Sequence, residues 1–141
     1  MLRLLFILIV IVHGLIHLMG FAKAYDFAKI TELSHDITKP TGLLWLFAML
    51  TFFAAVIGFS LNLRYWWLIA LTGTLLSQGL IMMIWQSAKF GTIANVIILI
   101  VAGAAFAEWR FAKQYQQDVD ENCSRQKENL ILTPALIKRL P

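Results

Sequence analysis

Two histidines, His13 and His17, stand four residues apart in a stretch that is otherwise Leu, Ile, Val, Phe, Gly and Met from Leu4 to Phe21. At that spacing they share one face of a helix. Ionisable side chains inside an apolar span are rare, and they mark a functional site by default. Neutral imidazole nitrogens ligate Zn, Cu, Ni and haem iron, and two histidines at this interval can hold one metal, as in zinc proteases. The glutamate of such a protease motif is absent here: Gly14, Leu15 and Ile16 stand between the histidines. A complete metal site would therefore need His35, Asp36 or Asp26 from the following loop, or a second chain. Two histidines on one helical turn also cannot ligate one haem iron from its opposite faces. The other chemistry is a redox or quinone-type pocket, in which His and Gln hydrogen-bond carbonyl oxygens between walls of Trp85, Phe21 and Met82.

The elements that must position these residues are membrane spans. The chain has 141 residues, 60% of them hydrophobic and 14% charged, which lies outside the soluble globular range. Four apolar runs, at residues 2–22, 42–61, 65–85 and 92–107, are each long enough to approach or cross a hydrocarbon core of roughly 30 Å. Residues 1–108 read as one four-span bundle and 109–141 as a polar cytoplasmic tail, partly helical. The start, Met1-Leu2-Arg3 and an apolar run, imitates a signal peptide. Its length and its two histidines favour a retained first span.

Between spans 1 and 2, Phe27, Ile30, Leu33 and Ile37 recur at helical spacing, which predicts a short interfacial helix. Thr38–Gly42 then breaks it. Asn62-Leu63-Arg64 is short enough to make spans 2 and 3 antiparallel neighbours. Trp45 lies near the start of span 2, and Tyr65-Trp66-Trp67 and Trp85 sit where aromatic interface anchors belong. In span 4 Gly103 and Ala107 are spaced for close approach of a neighbouring helix. Glu108 and Arg110 suggest an interfacial ion pair. Beyond them the helix is expected to run to about Asp120, with Thr133-Pro134 starting another by an N-cap with Pro at the first position.

Lys and Arg set the orientation. Arg3, Arg64, Arg110, Lys113 and the tail cations fall on one side of four spans, and Lys23, Lys29, Lys39 and Lys89 on the other. The positive-inside rule puts both termini in the cytoplasm. The net charge of +4 suits topology and anionic lipid better than nucleic acid, since no basic helix with interleaved aromatics is present. The single cysteine, Cys123, excludes an internal disulfide or a cysteine-based metal site within one chain. The bilayer is thus the expected partner, with a second copy or another membrane protein as a further possibility.

Spans 1 and 3 run the same way in this topology, so depths compare. At about 1.5 Å per residue, Thr74 lies level with His13 and Gln78 with His17 when Arg3 and Arg64 mark one interface. Asn95 reaches a similar depth from the other side. The expected ligand-binding set is therefore His13, His17, Thr74, Gln78, Asn95 and Trp85, with Lys89 just outside. Lys89 either attracts an anion or snorkels to lipid phosphate. The structural alternatives are specific. Thr72, Thr74 and Ser77 would bond their own helix backbone, and Gln78 and Asn95 would join helices. The histidines would bond Gln78.

The motifs His13–Phe21, Lys39-Pro40 with Gly42–Trp45, and Ala88–Asn95 together resemble a bacterial four-helix membrane module of the DoxX-like group. That module also forms the membrane-anchoring front half of some two-part proteins. The resemblance covers residues 1–108 and implies an inner-membrane helical bundle. DoxX-like members have been tied to quinone-linked sulfur chemistry, but the resemblance carries no catalytic residue across. The expected protein is an all-α, four-span antiparallel bundle in a bacterial inner membrane. It would bind a small redox-active or polar ligand, a quinone or a transition metal. Its rival is a non-catalytic scaffold subunit in which the same residues only join helices. A transporter or channel is the weaker third reading, because no charged path crosses the bilayer.

Overall fold

The computed structural model describes residues 1–28, 30 and 37–137, with side chains described as far as Leu130. All regular structure there is helical: α1 Leu2–Ala24, α2 Lys39–Ser60, α3 Trp66–Met83, the four-residue α4 Trp85–Ala88, and α5 Gly91–Ile137. Four helices, α1, α2, α3 and α5, are long and apolar enough to cross a membrane. Two compact units divide the chain, residues 1–105 and 106–141. The division falls three residues before the composition change at Trp109.

In the first unit, each long helix buries one stripe at helical spacing. On α1 it is Phe6, Val10, His13, Gly14, His17, Gly20 and Ala24, so the two histidines lie in the packing seam and not on the outward face. On α2 it is Gly42, Trp45, Ala48, Phe52, Ala55 and Gly58. On α3 it is Trp67, Ala70, Gly73, Thr74, Ser77, Leu80 and Ile81. On α5 it is Asn95, Ile98 and Ala102. The opposite faces carry Leu, Ile, Val, Met and Phe in the open, including Leu4, Leu8, Leu50, Leu75 and Ile100. In water this would be an aggregating surface; in hydrocarbon it is the ordinary one.

Helix α2 packs on both α1 and α3. The glycines of the seams explain how closely. A Cβ at Gly14 would stand 3.3 Å from the Cβ of Phe52, and one at Gly73 would meet Thr51 Oγ1 at 2.9 Å. Phe52 is thus gripped between two helices by residues without side chains.

Two helix ends use the same device. Asp26 (φ 57°) and Asn62 (φ 53°) are left-handed, and short polar side chains tolerate that conformation. After α1, Phe27 N–H donates to the carbonyl of Ala22 and Asp26 N–H to that of Lys23 (2.9 and 3.2 Å). After α2, Leu63 N–H and Asn62 N–H reach Gly58 and Phe59 in the same way (2.8 and 3.2 Å). Both are Schellman caps. At the α2 end Arg3 adds a second closure, because its Nη2 donates to the carbonyls of Phe59 and Ser60 (2.9 Å each) and to Asn62 Oδ1 (3.1 Å). One cation from the start of α1 thereby neutralises the negative end of α2. Arg3→Gln is expected to lower stability by about 1 kcal/mol, discounted for the exposure of these bonds. Unfolding in mixed SDS micelles measures it, and Arg3→Lys should recover only part.

Several boundaries differ from the sequence reading. Helix α2 starts at Lys39, three residues before the expected 42, because Pro40 is tolerated in a first turn. The expected interfacial helix between Phe27 and Ile37 lies mostly outside the described residues; Phe27, Ile30 and Ile37, which are described, are not in a helix. Ile30 and Ile37 instead pack on the cluster of Trp45, Ala48, Leu80 and Ile84. Leu33, His35 and Asp36, the two candidate metal ligands among them, lie outside the described residues. Helix α3 ends at Met83, not at residue 85. Ile84 leaves helical geometry (φ −124°, ψ 41°) and buries its side chain in the Trp45 cluster. Gly103 meets nothing within 4 Å; the fully buried small residue of that helix is its neighbour Ala102.

In the second unit the chain stays helical past Asp120 and through Thr133-Pro134 to Ile137. Pro134 thus lies inside the helix and not at its first position, and it lacks the N–H that would bond the carbonyl four residues back. Arg110 lies over the Phe106 ring, 5.9 Å from its centroid, and does not pair with Glu108, since residues two apart face different ways on a helix. Arg125 pairs with Glu121 at 2.6 Å, one turn apart and exposed. Cys123 is exposed.

Candidate functional site

The buried stripes of α1, α3 and α5 meet at one polar point in the first unit. His13, His17, Ser77 and Asn95 are each at most 3% exposed. Their centre is the hydroxyl of Ser77: His13 Nε2 lies 3.1 Å from it, His17 Nε2 2.8 Å, and Asn95 Oδ1 3.1 Å. His13 Nε2 also lies 2.9 Å from Asn95 Oδ1.

Donor counting assigns the protons. Asn95 Oδ1 only accepts, so His13 carries its proton on Nε2 and donates. Ser77 has one proton and gives it to Asn95 Oδ1, so it accepts from Nε2–H of His17. The amide is held from behind: Asn95 Nδ2 donates to Gln78 Oε1 at 3.0 Å, and Gln78 Nε2 donates to Thr92 Oγ1 at 3.4 Å. Neutral imidazoles as Nε2–H tautomers satisfy every one of these contacts. His17 Nδ1, a lone pair in this tautomer, is buried with no hydrogen-bond partner among the described residues. Such a group costs free energy and calls for a functional explanation.

Aromatic rings fix the imidazoles. Phe52 stacks on His17 (5.7 Å, 13° between planes) and meets His13 edge-on (5.0 Å, 70°). Trp45 packs on His17 at 5.0 Å. The two imidazoles stand 5.0 Å apart, edge to face. Beside them is a cleft of about 310 Å³, lined by His13, Ile16, His17, Met19, Trp45 and Ile81, with Ser87, Ala88, Phe90 and Gly91 from the segment before and at the start of α5.

Of the residues expected from the sequence, the structure brings His13, His17 and Asn95 into direct contact. Gln78 joins one bond further out, half-buried, through Asn95 and not through a histidine. Thr74 is buried, but its hydroxyl is spent on its own helix, donating to the Ala70 carbonyl at 2.8 Å. Thr72 does the same with Leu68. Trp85 falls beyond the α3 break, is 48% exposed and does not line the cleft. Lys89 is exposed with its Nζ 5.5 Å from the Phe90 ring centroid. Phe21 packs on the Trp45 cluster, and Met82 is exposed.

Two residues carry more than the sequence suggested. Ser77 is the hub, not a helix-backbone donor, and Trp45 is the aromatic wall in place of Trp85. Depth alone placed His13 and His17 level with residues 74 and 78. Ser77 lies in that interval, and what selected it was the azimuth of the buried stripe. Nothing in the sequence singled out Trp45; its place follows from the seam, where a Cβ at Gly20 would fall 2.2 Å from its ring.

Metal ligation has little room here. Both Nε2 atoms converge on a hydroxyl the protein itself supplies, and no group of three or more His, Cys, Asp or Glu side chains forms among the described residues. Comparison with protein-family models, curated proteins and solved structures finds no match to this chain.

Proposed function

We propose that the chain is a small membrane protein that binds an apolar or redox-active organic molecule, quinone-like in size, against His17 and His13. The observation that carries this reading is a cleft of about 310 Å³ placed directly beside two buried imidazoles, one of which keeps an unpartnered nitrogen. Such a volume falls at the lower end of ordinary ligand pockets, which are apolar with a few polar groups. An organic ligand is favoured over a transition metal because the histidine nitrogens that converge already share Ser77.

The setting belongs to the same proposal. Four spans run antiparallel through a bacterial inner membrane with both termini inside, as the distribution of Lys and Arg favours. The bonds from Arg3 to the last carbonyls of α2 support the first antiparallel pair. A DoxX-like membership, proposed on the motifs around His13–Phe21 and Ala88–Asn95, is consistent with that setting.

A scaffold subunit is the second reading, and one observation favours it. Apart from His17 Nδ1, the polar groups of the site satisfy one another across three helices, as adhesive residues would. Ligand analysis separates the two. The purified wild type and the His13→Ala/His17→Ala variant are compared by absorption spectrum, elemental analysis and organic extraction. The binding reading expects an extractable molecule in the wild type that is lost from a variant still helical by circular dichroism. An empty wild type whose variant only unfolds more easily establishes the scaffold.

A further inference from the structure

The cleft beside the histidines continues into a second one. A groove of about 370 Å³ runs between α1 and the start of α5, with Val12, His13, Ile16, Phe90 and Gly91 in its lining. The two share His13, Ile16, Phe90 and Gly91. Apart from His13, nothing along the groove bears a polar side chain. Val12 and Phe90 are exposed on its rims (49% and 74%).

What faces this groove follows from the helices that form it. Both α1 and the first part of α5 are apolar enough to span a membrane, and on the membrane reading proposed above the medium outside the gap is hydrocarbon. At its neck stands Gly91. A Cβ there would meet Ile81 Cδ1 at 2.9 Å and His13 Cε1 at 3.5 Å. Gly91 therefore keeps open the junction where groove and cleft meet the imidazole. The α1 stripe packs on α2 along its length, and its contact with α5 is the His13–Asn95 bond beside this gap.

We propose that the site is loaded sideways from the bilayer, through the gap between α1 and α5, by a lipid-soluble molecule with a small polar head and an apolar chain. The head reaches the His13–His17 cleft, and the chain lies along Val12 and Ile16. Water-borne ions and polar solutes are the wrong class for this route. The inference rests on the binding reading for the head, but the passage itself is tested without knowing the ligand. In the resting state lipid acyl chains fill the groove and are displaced by the ligand.

Trp45 lines the cleft and is only 3% exposed, so its fluorescence reports what enters. The protein is placed in phosphatidylcholine vesicles with brominated acyl chains, and in unbrominated vesicles with acrylamide added to the water. The emission of Trp45 is taken as the difference between wild type and Trp45→Phe. Lateral loading expects the brominated chains to quench Trp45 more strongly than acrylamide does. It also expects this lipid quenching to be lost in Gly91→Leu, which fills the neck, and in Val12→Phe, which fills the groove from an exposed position that leaves the core intact.

If acrylamide is the better quencher, the cleft opens to water and lateral loading is overturned, while a bound ligand can still be found by extraction. If neither quencher reaches Trp45, the passage is closed and the proposal fails. If lipid quenching persists unchanged in both folded variants, it does not travel this way and the proposal fails too. An empty extract beside strong lipid quenching would remove the binding reading and, with it, the ligand assigned to the passage.

Discussion

Gly20→Ala is expected to damage this protein more than any other single added methyl group. Its Cβ would stand 2.2 Å from Trp45 Cδ2 and 2.5 Å from both Cγ and Cε3. Trp45 cannot swing away cheaply, because it is 3% exposed, packs on His17 and is closed in by Leu80 and Ile84. Overpacking a well-filled site typically costs about 1–3 kcal/mol. Contact with the rigid face of a buried indole belongs at the upper end of that range. The matched control is Gly79→Ala, where nothing lies within 4 Å. It should leave stability unchanged or slightly raised, since alanine is the better helix former. Unfolding in mixed micelles compares the two directly, and Trp45 emission should shift in the first variant only. Equal effects of the two substitutions would mean that the α1–α2 seam is not packed as described.

That pair of glycines also shows what a sequence discloses and what it withholds. Gly20 and Gly79 look alike as letters in apolar runs, and so do Gly91 and Gly103. Only the partner across the seam distinguishes a glycine that is required from one that is idle. The four long apolar helices were legible because each carries its own signal of length and composition, enough to cross a bilayer, independently of the others. The histidine pair was legible for the same reason, since a costly residue in an apolar run needs a cause. Its neighbours were harder to name. Thr74 and Ser77 sit three residues apart on one face of α3 and have equal claims by depth. A rotation of the helix by a fraction of a turn decides which hydroxyl meets the imidazoles and which turns back on its own backbone. The break at Ile84 was invisible for a related reason. Residues 65–85 read as one apolar run, and it is the burial of Ile84 against Trp45, a long-range contact, that ends the helix and turns Trp85 outward.

Asn95→Leu carries the other large expected effect. The leucine removes the acceptor shared by His13 Nε2 (2.9 Å) and Ser77 Oγ (3.1 Å), together with the donor to Gln78 Oε1 (3.0 Å). Two magnitudes compete. Hydrogen bonds between membrane helices average only about 0.6 kcal/mol each, whereas a buried polar group left without a partner costs about 1–3 kcal/mol. The second applies to His13, whose N–H keeps only the more distant Ser77 oxygen and cannot turn to water. It applies less to half-buried Gln78, which can turn outward. The expected loss is therefore about 2–4 kcal/mol, well above three average bonds. Thr74→Ala, which removes only a bond to its own helix, should cost far less. Because Ser77 and Asn95 serve the same imidazole, their alanine variants should not add: the double variant should be milder than the sum of the singles by about 1 kcal/mol or more. A cycle that closes without coupling would mean that the two side chains act separately. The serine would then lose its place as the hub between the histidines, and the proton assignment that leaves His17 Nδ1 bare would go with it.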